Sequence, residues 1–423
     1  MNISRRLALI LLMCGVPTAA VLAQAGTAPA PWSQRMARSA IERWPNGRFV
    51  PPGARWKWNY ELGTLLEGMD AVWAQTEDTR YLAYIKDSVD QFVRPDGSIA
   101  TYVPAEHQLD NILTGRQLLL LYRVTLDPRY LKPADFLYGQ LRQQPRNPDG
   151  GFWHKQIYPN QMWLDGLYMA EPFYAEYAAS LYHPEAFRDI TRQFELIYAH
   201  AHDAKTGLLY HGWDQSRQQR WANKETGDSS QFWGRGMGWY MMALVDTIPS
   251  YPATDPGREK LLAQLGQLAE AVARYQDRDS GLWWEVLDKG GEKGNYLEAS
   301  ASCMFVYALV RGVRLGYLPP KFLENARRGY AGILSHFVQT GASGEISLSG
   351  TVKGAGLGGH PYRDGTYAYY IGEKTVTNDP KGIGAFLLAS TEMEGLESGE
   401  PEHPDPDTVN PGLAESQLKH ASK

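Results

Sequence analysis

Apolar positions along the chain follow two different patterns. Phe187, Ile190, Phe194 and Ile197, and again Leu261, Leu265, Leu268 and Val272, recur at helical spacing with charged residues between them. Each such stretch predicts a helix with one face buried and one in water. The runs Leu118 to Tyr122, Trp239 to Val245, Met304 to Val310 and Gly384 to Ala389 are apolar nearly all round, so the helices they predict must be enclosed on every side. Asp- and Gly-rich turns followed by aromatic, strand-like pieces separate the two kinds, as at Pro95-Asp96-Gly97, Asn147 to Trp153, Asp203 to Tyr210, Asp277 to Trp283 and, more weakly, Gly341 to Gly344. The unit recurs about every 50 to 75 residues, longer than common solenoid repeats. Enclosed helices are expected to open near Tyr60, Asp110, Trp163, Gly234, Tyr296 and Pro380. Ringed by the amphipathic ones, they predict an all-α fold, an (α/α)6 barrel with long aromatic loops at one end. An open solenoid of stacked helix pairs is the alternative architecture.

The two ends of the chain read differently. Residues 1–25 carry Arg5 and Arg6, an apolar run from Leu7 to Val16, and then small residues. That is the three-part pattern of a secretory signal, so the protein is expected to be exported, to the periplasm or beyond the cell. Ser4-Arg5-Arg6 hints at a twin-arginine route, and Cys14 invites a lipoprotein reading that Met13 before it disfavours. No later stretch approaches the length of a membrane span. Residues 26–396 form the expected barrel, and residues 397–423, rich in Pro, Glu and Asp without an apolar period, are expected to be disordered. Once the leader is removed Cys303 has no partner for an intrachain disulfide, and its apolar neighbours mark it as a buried small hydrophobe.

Composition narrows the partners. The formal net charge of −5, with no segment concentrated in Lys and Arg, argues against nucleic acid. The 13 Trp and 25 Tyr suit a core and equally suit stacking on the C–H faces of sugar rings.

Polar residues gather where the enclosed helices begin: Glu61, Asp110, Asp165, Arg235 with Trp239, Glu298, and Asp379 with Lys381. Any one acid there has a plain explanation, since it caps free N–H groups at the positive end of a helix dipole. As a set, converging with Trp and Tyr at one end of a ring, they suggest a sugar cleft. His200 and His202 stand two apart, so they diverge on a helix, and no third ligand lies at zinc spacing; no metal is expected. Gly354 to Gly359 fits a dinucleotide glycine pattern, but no apolar strand leads into it and Pro361 follows where a helix should start. It is read as a flexible loop over the cleft, and no cofactor is expected.

Leu109-Asp110-Asn111, Trp153-His154-Lys155, Met162 to Met169 with Trp163-Leu164-Asp165-Gly166 at its centre, Phe232 to Trp239 with Gly234-Arg235-Gly236, and Pro361 to Thr366 together resemble the unsaturated rhamnogalacturonyl hydrolases, glycoside hydrolase family 105, relatives of the family 88 unsaturated glucuronyl hydrolases. The resemblance spans roughly Trp56 to Glu394. It implies the (α/α)6 fold and an unusual hydrolysis of oligosaccharides that end in a 4,5-unsaturated uronate, in which the C4=C5 enol ether is hydrated. By position, Asp165 matches the group that protonates C4 and then takes a proton from the water adding at C5. Asp110 matches the second acid, which grips ring hydroxyls and stays ionised. Lys155, His211, Arg235 and Trp239 match substrate-contacting positions, with a purely structural role for His211 equally open, and Trp233 and Tyr60 are expected to bind substrate beside them. An acid donor working near neutral pH needs a raised pKa, and nonpolar neighbours such as Trp163 are expected to raise that of Asp165 by desolvation. His154 is left without a role. Where the family's pattern has an acid in the tyrosine-rich run after Arg-Asp-Gly, this chain has Ala368. Rival readings are the sister activity on glycosaminoglycan or ulvan fragments, a non-catalytic glycan-binding protein, and a sugar epimerase, which would want paired histidines.

Overall fold

A computed structural model describes residues 30–50 and 55–399 of the chain. The leader expected at 1–25 and the tail from residue 400 onward lie outside the described residues.

The described chain is a sequence of helices: α1 (Trp32–Arg43), α2 (Tyr60–Thr76), α3 (Thr79–Asp90), α4 (Gly115–Thr125), α5 (Pro128–Gln143), α6 (Leu164–Ser180), α7 (Ala186–Ala201), α8 (Gly234–Thr247), α9 (Pro256–Arg274), α10 (Ala299–Arg314), α11 (Phe322–His336), the short α12 (Tyr367–Gly372) and α13 (Pro380–Ser398). Helices α2, α4, α6, α8, α10 and α13 pack each on the next, and α13 packs on α2. The ring therefore closes, as in an (α/α)6 barrel and unlike an open solenoid. Outside it, α3, α5, α7, α9, α11 and α1 lie against α2, α4, α6, α8, α10 and α13 respectively. The sorting follows the apolar pattern: α8 is buried along its whole length, whereas α7 buries Phe187, Ile190, Phe194 and Ile197 and exposes the opposite side.

Closure of the ring depends on small residues. A Cβ added at Gly68 of α2 would lie 2.8 Å from the carbonyl oxygen of Gly384 on α13, and one added at Gly384 would lie 2.1 Å from that of Thr64. A side chain at either position would force the two backbones apart. Outer helices start at acids that cap them: Asp78, Asp127 and Asp255 each accept from the second backbone N–H beyond, and after Asp127 and Asp255 a proline opens the helix.

Two expected helix starts are displaced. The helix expected near Asp110 begins at Gly115, and Leu109–Asn111 forms a tight 3-10 turn. The Asn111 carbonyl is taken by the Trp58 indole at 2.8 Å, and the Leu109 N–H by the His154 carbonyl at 3.2 Å, which leaves no α-helical ladder for that turn to join. Near Tyr296 the chain stays extended, because the Tyr296 carbonyl accepts from the Glu285 N–H at 2.8 Å, and α10 begins after Glu298. At the other end, α13 runs two residues past the expected limit of the barrel, to Ser398. Cys303 is buried inside α10, its thiol pushed well up by burial. Among the described residues no helix is long and apolar enough to cross a membrane.

Candidate active site

The acids at the helix starts divide into two groups. Glu298 accepts from the Ala301 N–H at 2.6 Å and Asp379 from the Lys381 N–H at 3.0 Å, so both are caps. Asp165 lies in the first turn of α6 without making a side-chain cap bond. Its carboxylate turns instead to His211, with Oδ2 3.0 Å from Nε2.

Local backbone pairing brings these two residues together. Strand β1 (Gln161–Trp163) runs antiparallel to β2 (Gly212–Asp214), with Trp163 opposite Gly212. One residue on, the Leu164 N–H donates to the His211 carbonyl at 3.0 Å. Position 212 must be glycine for this approach, since a Cβ there would stand 3.0 Å from the Trp163 ring and 2.8 Å from Leu357. The other ring nitrogen of His211, Nδ1, is 2.7 Å from the hydroxyl of Tyr370 on α12. His211 and Tyr370 are fully buried.

Asp110 stands in a second constellation. Its Oδ2 is 2.5 Å from Lys155 Nζ, and its Oδ1 is 3.1 Å from His154 Nε2. Trp163 separates the two groups, stacked on His154 with centroids 4.5 Å apart and meeting His211 edge-on at 5.7 Å. Each histidine is thus committed to one carboxylate, an arrangement unlike the freely opposed acid and base that an epimerase would want.

The two carboxylates are held by different means. Burial opposes ionisation of Asp110, but the Lys155 charge and the His154 contact outweigh it and keep the carboxyl far below its usual range. At Asp165 burial also pushes upward, and the charge that His211 carries when protonated, with its hydrogen bond, overcomes it, leaving a net downward shift. Burial lowers His211 as well, against the pull of Asp165. At neutral pH the resting pair is therefore a carboxylate accepting from the Nε2–H of a neutral imidazole. This corrects the expectation that Asp165 is raised: Trp163 supplies the burial, but a histidine at hydrogen-bond distance decides the outcome.

The remaining expected contacts form a second layer. Trp233 packs on His211 at 4.5 Å and donates its indole N–H to Glu285 at 2.8 Å. Arg235, 2% exposed, donates to the Val352 carbonyl and to Ser300 Oγ, and it lies 5.0 Å from the centre of the Trp233 ring. Trp239 is 1% exposed, stacked on Tyr168 at 5.0 Å and touching Tyr60 edge-on at 6.4 Å. It is a core residue beneath Tyr60, not an open wall of the cleft. Tyr60 and Asp110 border a cavity of about 250 Å³ with Arg55, Lys57, Glu106 and Gln108. Lys381, 1% exposed, ties Glu61 to Asp379 with 3.0 Å bonds to each.

Sequence reasoning left His154 and Arg363, both inside matching motifs, without a role, and missed Tyr370 and Glu285. His154 is adjacent to a matching Lys155 and Arg363 stands within Pro361 to Thr366; Tyr370 and Glu285 carry no spacing signal, because their partners lie on distant segments. Arg363 donates to the Tyr158 hydroxyl at 2.8 Å and lies 5.6 Å from the centre of the Trp163 ring. The glycine-rich segment beside it is anchored and not a free loop: Leu357 is fully buried among Tyr158, Trp163 and Trp221. His200 stacks flat on Trp213 at 3.7 Å and His202 on Tyr198 at 4.8 Å, so the two histidines do diverge.

A closed ring of helix pairs, with two separately poised carboxylates and aromatic side chains at the starts of its inner helices, defines a carbohydrate-active enzyme of the (α/α)6 class. The profile described as Glycosyl Hydrolase Family 88 matches residues 32–396, and the chain belongs to that family. A 24.9 kDa protein in the picA locus of Rhizobium radiobacter is 41% identical over 230 residues, 53% of this chain and 97% of that protein. The unsaturated rhamnogalacturonyl hydrolase YesR of Bacillus subtilis is 28% identical over 301 residues, 70% of this chain and 80% of the relative. A family 105 glycoside hydrolase of C. acetobutylicum ATCC 824 superposes with a TM-score of 0.83 at 43% identity, covering 86% of this chain and 99% of its own. The protein is a glycoside hydrolase, which sets aside the non-catalytic alternative.

Proposed function

We propose that this protein removes the terminal 4,5-unsaturated uronic acid from lyase-generated pectin oligosaccharides of the rhamnogalacturonan type, outside the cytoplasm. Asp165 is the general acid and base. It delivers a proton to C4 of the enol ether as positive charge develops at C5, then accepts a proton from the water that adds at C5. The hemiketal so formed opens, and the glycosidic bond breaks without attack at the anomeric carbon. Asp110, kept ionised by Lys155 and His154, grips ring hydroxyls. Arg235 carries the charge that complements the uronate.

The observation that carries this reading is the contrast between the carboxylates. Asp110 is neutralised by a lysine and is fixed as an anion. Asp165 shares its hydrogen bond with an imidazole, so a proton can be gained and lost there. The likeness to the unsaturated rhamnogalacturonyl hydrolase of Bacillus subtilis supports the same substrate class. The test is to incubate the protein with lyase-made oligosaccharides from rhamnogalacturonan, glycosaminoglycan and ulvan and to follow loss of the ultraviolet absorbance of the conjugated double bond. Turnover of the rhamnogalacturonan fragments is expected to exceed the others at least tenfold, about the discrimination that one well-formed sugar contact gives. Preference for a sulfated glycosaminoglycan or ulvan fragment contradicts the substrate assignment.

A further inference from the structure

We infer that Tyr370 is a positioning residue for catalysis: its buried hydroxyl accepts a hydrogen bond from Nδ1 of His211 and so lets the Asp165–His211 pair hold the proton that Asp165 delivers. The inference rests on the proposed role of Asp165.

The geometry is a chain of three groups. Tyr370 oxygen to His211 Nδ1 is 2.7 Å, and His211 Nε2 to Asp165 Oδ2 is 3.0 Å. Both the tyrosine and the histidine are fully buried, so neither ring nitrogen has bulk water to turn to. A neutral imidazole has one donor nitrogen and one acceptor. In the resting pair, Nε2–H donates to the Asp165 carboxylate, and the Tyr370 O–H donates to Nδ1. Loading adds one proton from solvent. The proton enters at Nδ1 and makes the ring an imidazolium beside the Asp165 carboxylate, which takes up the Nε2 proton as it delivers to C4, and Nδ1–H must find an acceptor, which the Tyr370 oxygen becomes by rotating its own hydrogen away. No proton passes through the phenol, whose pKa burial pushes well up. A hydroxyl serves both states because it can donate or accept.

Packing, and not the hydroxyl, fixes the Tyr370 ring, which lies in an apolar cluster with Trp233, Val286 and Val352. Other groups bear on the pair. His154 and Asp110 act on Asp165; His154 and Arg363 act on His211, and Tyr369, Glu285 and Arg363 on Tyr370. Arg363 disfavours an imidazolium, which leaves the Tyr370 oxygen as the contact that favours loading at Nδ1.

Tyr370→Phe removes a neutral hydrogen bond from the resting form and a charge-assisted one from the loaded form, so the loaded form loses more. The alkaline limb of kcat/KM is expected to move down by about one pH unit. Tyr369→Phe is the control: its hydroxyl accepts from the Gly356 N–H at 3.0 Å, away from the histidine, and the limb should stay in place. A second readout needs neither turnover nor the variant. In full-length protein labelled with ¹⁵N-histidine, His211, identified by loss of its signals in His211→Gln, should gain an Nδ1 proton as pH falls through the active range. In Tyr370→Phe the same midpoint should fall. An unmoved limb in a folded, active Tyr370→Phe, or an Nδ1 that stays unprotonated across the active range of the wild type, overturns the inference and leaves the proposed function standing. A wild type inactive on every unsaturated oligosaccharide overturns the proposed function, and the ¹⁵N titration still decides the inference.

Discussion

Asp110 and Asp165 are the same side chain in two electrostatic settings, and the difference comes from what stands 2.5 to 3.1 Å away. Lys155→Gln is expected to lower kcat/KM about 10- to 100-fold, mostly through KM, because a charged hydrogen bond worth about 1.5–3 kcal/mol that holds the gripping carboxylate is lost. Steady-state kinetics on the preferred oligosaccharide read this; an unchanged KM contradicts the grip assigned to Asp110. The sequence made Asp110, Asp165, Lys155 and His211 visible through motifs whose residues are adjacent. It did not show which histidine meets which acid, since that is set by the pairing of β1 with β2. The same blindness explains the expectation of a raised Asp165 pKa: Trp163 is two residues away in sequence, whereas His211 arrives from the segment that leads into β2.

At the scale of elements, the inner helices carry charge as well as apolar surface. Glu176, Asp246, Arg311 and Glu392 are each the thirteenth residue of α6, α8, α10 and α13. They meet Glu67 from α2 and Arg116 from α4 in a buried belt inside the ring. Arg116, 7% exposed, pairs with Glu67, with Glu176 at 3.3 Å and with Asp246 at 3.1 Å. Arg311 continues the belt, 3.5 Å from Asp246 and 3.3 Å from Glu392. Arg116→Ala strands several carboxylates in the interior and is expected to destabilise the fold by about 3–5 kcal/mol, measured by denaturant unfolding. A loss below about 1 kcal/mol, the value of an exposed pair, contradicts the belt's role in joining the helices. This repeat was not legible because its four positions change both residue type and sign. The apolar helices that hold it were legible, and their order around the ring followed from their order in sequence.

For the whole molecule, the fold was readable because alternating one-faced and enclosed helices have few ways to bury themselves. The starts of four inner helices fall within one residue of where the pattern puts them. The two displaced starts are those where another segment captures the backbone groups that a helix would use. Less of the site was readable, because a barrel gathers it from every part of the chain: Asp110, Asp165, His211, Arg235 and Tyr370 come from different elements and meet only once the ring has closed. We propose that this gathered site hydrates a double bond with Asp165 as acid and base. This chemistry is tested most directly by turnover in oxygen-labelled water, comparing wild type with Asp165→Asn, which is nearly the same size but cannot exchange the proton. Label is expected on the former C5 of the released uronate, none on an anomeric carbon, and at least a thousandfold loss of rate in a folded Asp165→Asn, within about the 10²–10⁴ that general acid–base catalysis supplies. Label at an anomeric carbon, or an Asp165→Asn enzyme working at near wild-type rate, would contradict this chemistry.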